Sequence, residues 1–194
     1  MHDSQHVVCV KSSMVYGENN AFIDYTLSTK DILLCERGVA EHDSDFLKVV
    51  PTAVILYDGK LWAFKNTLKG QVSAAIVSEL GITDLIVKDS NIDLDESFDT
   101  FFSKQLDCKL ELDSYIVKQD VLPKLICSDF YPDNRPCLLH AHVYHLDGPH
   151  IQSVLNDIEV LGFLSPEELL SDSFETDMTT MHICRAILDN KFNR

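Results

Sequence analysis

Basic residues are scarce in this 194-residue chain: 16 lysines and arginines stand against 31 aspartates and glutamates, a formal net charge of -15 with histidines neutral. So large an acidic excess repels phosphate backbones and anionic lipid surfaces over long range. It argues against a broad nucleic-acid-binding face and against membrane association, and leaves room only for a small basic pocket that would take one nucleotide. Long apolar runs are missing too. The longest, at 52–57 and 137–144, fall far short of the roughly 20 residues that span a bilayer. The N-terminus Met1-His2-Asp3-Ser4 lacks a basic region followed by an apolar stretch, so no export signal is read. The cysteines Cys9, Cys35, Cys108, Cys127, Cys137 and Cys184 include no CxxC pair and have mostly apolar neighbours. That pattern predicts buried reduced thiols in place of a disulfide frame or a zinc site, and with it a cytoplasmic setting. Internal repeats and low-complexity segments are absent as well.

What is present is an ordinary globular composition, 45% hydrophobic, sufficient for one substantial core. Short β-type runs at 7–10 and 32–35 flank the turn-forming stretch 16–20, and a polar connector, 36–45, leads into a strand at 49–57. Asp58-Gly59 then predicts a tight hairpin into 60–64, because both residues tolerate positive φ. A short strand is expected at 72–77 and a polar connection at 90–95. Leu94, Phe98, Phe101, Phe102 and Leu106 recur at helical spacing, and Asp93 with Glu96 forms a capping-box pattern, so a helix is expected over 94–106. Strands follow at 109–118, 121–128 and 137–146, the last preceded by the turn-rich 131–136. Another at 158–164 runs into Ser165-Pro166-Glu167-Glu168, where a serine cap, proline and an acidic first turn announce a short helix. A final helix is expected with Asp172 and Glu175 as caps and a stripe of Phe174, Met178, Met181, Arg185, Leu188 and Phe192. The order strands, helix, strands, helix suggests an α+β fold, a mixed sheet covered by helices.

That order, together with Glu159-Val160-Leu161-Gly162-Phe163-Leu164-Ser165-Pro166-Glu167-Glu168-Leu169, resembles the Nudix (MutT-type) α/β/α sandwich. Arg37-Gly38-Val39-Ala40-Glu41-His42-Asp43, then Val49-Val50-Pro51, is similar to a bacterial Nudix-like group labelled predicted phosphoesterases. His140-Ala141-His142-Val143-Tyr144 and Phe174-Glu175-Thr176 fall where that group has a histidine-bearing strand and the start of its last helix. The resemblance covers nearly the whole chain and implies a short N-terminal β extension, 1–48, ahead of a Nudix-like domain, 49–194. It also implies a helix with the core R-E-U-x-E-E-x-G, where U is bulky and apolar. The glutamates of that helix bind magnesium or manganese, which activates water and offsets phosphate charge. Here Thr100-Phe101-Phe102-Ser103-Lys104-Gln105-Leu106-Asp107 occupies that stretch, so Phe101, Lys104 and Gln105 stand where glutamates belong. The nearby Asp93, Asp95, Glu96, Asp99 and Asp107 are read as cap and dipole partners more than as a displaced metal cage. Mg2+ or Mn2+ is expected only if an alternative carboxylate site exists.

Four other residues are candidates for binding or chemistry. His140 and His142 share a strand face, an arrangement that suits a phosphate pocket or a polar sheet face, or a metal with Glu159 or Asp147 as a further ligand; His145 faces the other way, and His150 follows. Glu159 precedes an apolar run in a region from which the resemblance implies an extra acid or base. Arg37, beside the flexible Gly38, suits a phosphate or carboxylate, or else a surface ion pair with Glu41 or Asp43. Trp62 and Phe64 alternate on a strand, with core packing as the expectation. These observations leave three readings open: a binding module for a small phosphate-containing, nucleotide-like ligand or a protein partner; a phosphate-compound hydrolase using His140, His142 and Glu159; and a structural or regulatory interaction protein.

Overall fold

The computed structural model describes residues 6–15, 21–23, 27–81, 84–88, 91–112, 114–122, 124–130, 135–153 and 157–191. The first half holds β1 (His6–Lys11), β2 (Ala21–Ile23), β3 (Leu33–Glu36), α1 (Arg37–His42), β4 (Phe46–Tyr57), β5 (Lys60–Asn66), β6 (Val72–Ser73), β7 (Ile76–Val77), β8 (Ile86–Lys88) and β9 (Asn91–Asp93). After them come α2 (Leu94–Lys109), β10 (Leu110–Leu112), β11 (Ile116–Val121), β12 (Lys124–Phe130), β13 (Arg135–Leu146), β14 (Ile151–Ser153), β15 (Ile158–Leu164), α3 (Pro166–Leu169) and α4 (Met178–Leu188). The expected turn at 16–20 lies outside the described residues, as do 131–134 of the turn expected at 131–136, Phe192 and the side chains of Leu94, Asp95, Asp107, Cys108 and Cys127; Arg135 and Pro136 belong to β13. The chain divides into two compact units, one of residues 1–51, 77–104 and 123–140, the other of 52–76, 105–122 and 141–194.

In the first unit β1 lies between β3 and β4, antiparallel to both, with Cys9 opposite Leu33 on one side and Lys48 on the other. Val7, Cys9, Cys35 and Ala40 form an apolar cluster against Leu33 and Phe46. A second cluster joins Val50 of β4 to Cys137 and Leu139 of β13. The start of α2 is fixed by short-range hydrogen bonds. Asp93 Oδ1 accepts from the Glu96 amide at 3.1 Å, and the Ser97 hydroxyl donates to the Asp93 carbonyl while accepting from the Ile86 amide at 2.8 Å. This cap agrees with the sequence pattern, and Phe98, Phe101 and Phe102 on the predicted stripe are buried.

In the second unit the β4–β5 hairpin turns at Asp58 and Gly59, with φ of 49° and 74°, as their tolerance of positive φ requires. β15 runs antiparallel along β5, and its register shifts between Val160 and Gly162, where Gly162 takes a φ of 87°. α3 begins in a full capping box: Ser165 accepts from the Glu168 amide while the Glu168 carboxylate accepts from the Ser165 amide. That second bond holds the Glu168 carboxyl below the usual range.

The last helix departs from the expectation. Its N-cap is Asp177, neither Asp172 nor Glu175, and the first helical residue is Met178. The reason is a long-range pairing: the Val72 amide donates to Glu175 O at 2.8 Å and the Asp177 amide to Val72 O at 2.9 Å, which keeps 175–177 extended. The buried face is rotated as well, carrying Thr180, His182, Ile183, Cys184 and Ala186, while Met178 and Leu188 of the expected stripe are exposed. Thr180 anchors this end. Its hydroxyl accepts from the Ala74 amide at 2.9 Å and donates to Asp177 Oδ2 at 2.9 Å. Other expected elements are subdivided: 72–77 forms two short strands and 109–118 is split between β10 and β11, whereas β4 begins at Phe46, earlier than expected. Thr180→Val deletes these hydroxyl bonds, and a third to the Ser73 hydroxyl, at near-constant volume and leaves a buried donor unpaired, so it should lower unfolding stability by about 1–3 kcal/mol. A urea titration should show a reduced midpoint at unchanged slope.

Candidate functional site

The densest polar constellation in the second unit sits on β11 and β13, two antiparallel strands whose register sets Lys118 opposite His145, Gln119 opposite Tyr144 and Val121 opposite His142. Side chains alternate along a strand, so these groups sort onto two faces. On one, His142 is buried at 5% exposure, and Gln119 Nε2 donates to its Nδ1 at 2.7 Å. That bond fixes the orientation of the imidazole ring. Tyr144 lies beside it, with ring centroids 6.3 Å apart. On the other face His145 Nε2 donates to Asp120 Oδ2 at 2.8 Å, and Lys118 Nζ donates to the same oxygen at 2.6 Å. Burial opposes charge on Asp120, but the bonds from Lys118 and His145 outweigh it and hold the carboxyl below the usual aspartate range.

His140 has a different setting. It belongs to the first unit, is 7% exposed, and stacks on Phe98 of α2 with centroids 4.2 Å apart and planes 21° from parallel. Glu159 stands exposed on β15 opposite Lys65. The three residues considered for hydrolysis thus have separate surroundings: an aromatic face for His140, an amide for His142 and a solvated strand for Glu159.

At the α2 positions where the resemblance puts metal-binding glutamates, Phe101 is buried at 4% exposure with its ring edge-on to Phe102 at 6.0 Å, Lys104 is exposed and Gln105 is half-buried. Asp93 is bound to Lys88 Nζ at 3.2 Å, and Glu96 is bound to the same ammonium. These contacts, led by the salt bridge to Glu96, raise the Lys88 pKa, and the Glu96 amide and Lys88 lower that of Asp93. Asp99 is exposed. Among the described residues no three His, Cys, Asp or Glu side chains converge as a ligand set. A hard divalent cation needs several oxygen ligands, and this helix offers a phenyl ring, an ammonium and an amide in their place. The residues do not fit a magnesium or manganese centre of that kind.

Arg37, half-exposed at the start of α1, binds a carboxylate, but that of Glu79, at 2.6 Å, and neither Glu41 nor Asp43. Asp43 instead accepts from the Asp45 amide. Glu79 is also approached by Lys48, at 3.5 Å; Lys48 is only 4% exposed although charged. The sequence pattern singles out neither Lys48 nor Gln119 and Asp120. The one hint for Lys48 is a cation interrupting an apolar run in β4. Cys9, Cys35, Cys137 and Cys184 are buried thiols outside any disulfide. Burial raises the pKa of Cys9, and burial aided by Asp177 and Glu167 raises that of Cys184 to about 12.

Asp120 makes the site pH-sensitive with a definite sign. Its folded pKa lies below the 3.8 of a free aspartate, so its stabilising effect is complete above that value and is lost as pH falls through the folded pKa. Asp120→Asn should lower the urea midpoint at neutral pH, and the difference from the unaltered chain should shrink as the pH series descends below about 4.

No protein-family model matches this chain, and no curated protein does. Solved structures do match. A crystal structure described as that of "Tm1382, a putative Nudix hydrolase" superposes with a TM-score of 0.73 over 95% of this chain and 99% of that one, at 16% sequence identity. At that identity the likeness bears on the fold alone. The chain therefore has a Nudix-like fold, a mixed sheet with few helices.

Proposed function

We propose that this chain is a Nudix-fold binding module for a small, phosphate-containing, nucleotide-like ligand, without the helix-borne metal mechanism of diphosphate hydrolysis. The observation that carries the reading is Phe101, an aromatic side chain withdrawn from water at a position where the mechanism needs a solvated carboxylate. Two features support retained binding. The His142 imidazole is held in place by Gln119, and the Tyr144 ring lies beside it on the same face. The described likeness of Tm1382 to Nudix hydrolases supports a nucleotide-like ligand class over others.

A panel of nucleoside diphosphate-linked compounds, each with magnesium, manganese or zinc, separates the readings when thermal shift and release of phosphate or nucleoside monophosphate are followed together. The expected outcome is stabilisation by one ligand class without turnover; a ligand at a hundred times its Kd adds about 2.7 kcal/mol. His142→Ala should abolish that shift. Metal-dependent turnover lost in the same variant would defeat the proposal in favour of a hydrolase built on His142, while the absence of any shift across the panel would favour a structural or regulatory protein.

A further inference from the structure

In the first unit the pairing of β1 brings two thiols together. Val7 lies opposite Cys35 of β3, and Cys9, two residues further along β1, lies opposite Leu33. Residues two apart on a strand share a face, so Cys9 and Cys35 are diagonal neighbours on one side of the sheet. Both belong to the same apolar cluster, and their thiols are hydrogen-bonded to one another. Across the other edge of β1, Cys9 lies opposite Lys48, so a buried ammonium flanks the pair on that face. The two thiols differ in access. Cys9 is fully buried, whereas Cys35 keeps 8% exposure and is the one an oxidant reaches first. Burial, reinforced by the neighbouring Cys35, pushes the Cys9 thiol up and keeps it protonated, with Lys48 acting in the opposite sense.

We propose that Cys9 and Cys35 are a reversible redox switch, a dithiol that a peroxide converts to a disulfide joining β1 to β3. Cys35 attacks the peroxide as its thiolate, the O–O bond breaks, and a sulfenic acid and water result. The Cys9 sulfur then attacks Cys35 Sγ. The S–S bond forms, the S–O bond breaks, and the Cys9 proton leaves with the hydroxide as water. Two thiols are thus oxidised to one disulfide while one hydrogen peroxide is reduced to two waters, and a small dithiol reverses the bond by thiol–disulfide exchange. Diagonal neighbours on a sheet stand about 7–8 Å apart, whereas the Cα atoms of a disulfide lie within about 6.8 Å, so closing the bond draws β3 toward β1. A disulfide strained in this way is easily reduced, as a switch requires. β3 runs directly into α1, so the movement reaches Arg37 and its ion pair with Glu79.

Graded hydrogen peroxide applied to the folded chain, followed by alkylation and non-reducing peptide mapping, tests the switch. A pair of peptides linked through Cys9 and Cys35 is expected, and the link should be lost on treatment with dithiothreitol. In Cys9→Ser the link cannot form, and Cys35 should accumulate as a sulfenic acid trapped by dimedone, a label nearly absent from the unaltered chain. In Cys35→Ser both link and label should be lost, with Cys9 remaining reduced. Mapping of the unaltered chain decides the matter even where a variant fails to fold. Survival of both thiols, oxidation of Cys35 to the sulfinic acid with no link, pairing of either residue with another cysteine, or a link formed only in urea would each overturn the proposal.

Discussion

Withdrawal of the Phe98, Phe101 and Phe102 side chains from water along one side of α2 is the constraint on which the rest of this account depends. Each buried phenylalanine contributes on the order of 1.5–3 kcal/mol relative to exposure. The same burial is unsuited to the metal-binding helix that the sequence resemblance implies. An ionised carboxylate in place of Phe101 would meet a penalty of several kcal/mol unless a cation or hydrogen bonds compensated it. A stable aromatic helix and a magnesium-binding helix are thus alternative solutions at one position, and this chain has the first.

With the helix committed to packing, polar chemistry is displaced onto the sheet. β13 carries His140 in one unit and His142, Tyr144 and His145 in the other. Each histidine is held by a neighbour of different character: a phenyl ring at His140, an amide at His142, a carboxylate at His145. Stacking removes His140 from water, whereas the amide fixes the orientation of His142. An imidazole held in one orientation is the feature on which the proposed binding role rests.

Local signals in the sequence predict local structure well. Asp58-Gly59 makes the hairpin, Ser165-Pro166 with Glu168 makes the capping box, and the aromatic stripe of α2 is the buried one. What a linear reading does not capture is pairing between distant segments. The start of α4 is shifted because Val72 captures the backbone of Glu175 and Asp177, and Arg37 finds Glu79 although acidic residues lie much closer in sequence. Likewise Gln119 and Asp120 acquire roles only when β11 is laid against β13, since nothing in a short polar strand names its partner. The candidate site was therefore half legible: the histidines stand out by type, and the groups that orient them do so only by register.

Burial of Phe101 predicts that α2 binds no catalytic metal. Isothermal titration with Mn2+, in the presence and absence of a ligand that stabilises the chain, tests it most directly. No saturable metal site is expected at millimolar concentrations in either case. Stoichiometric Mn2+ binding that is lost when acidic residues of α2 such as Glu96 and Asp99 are replaced by their amides would contradict it.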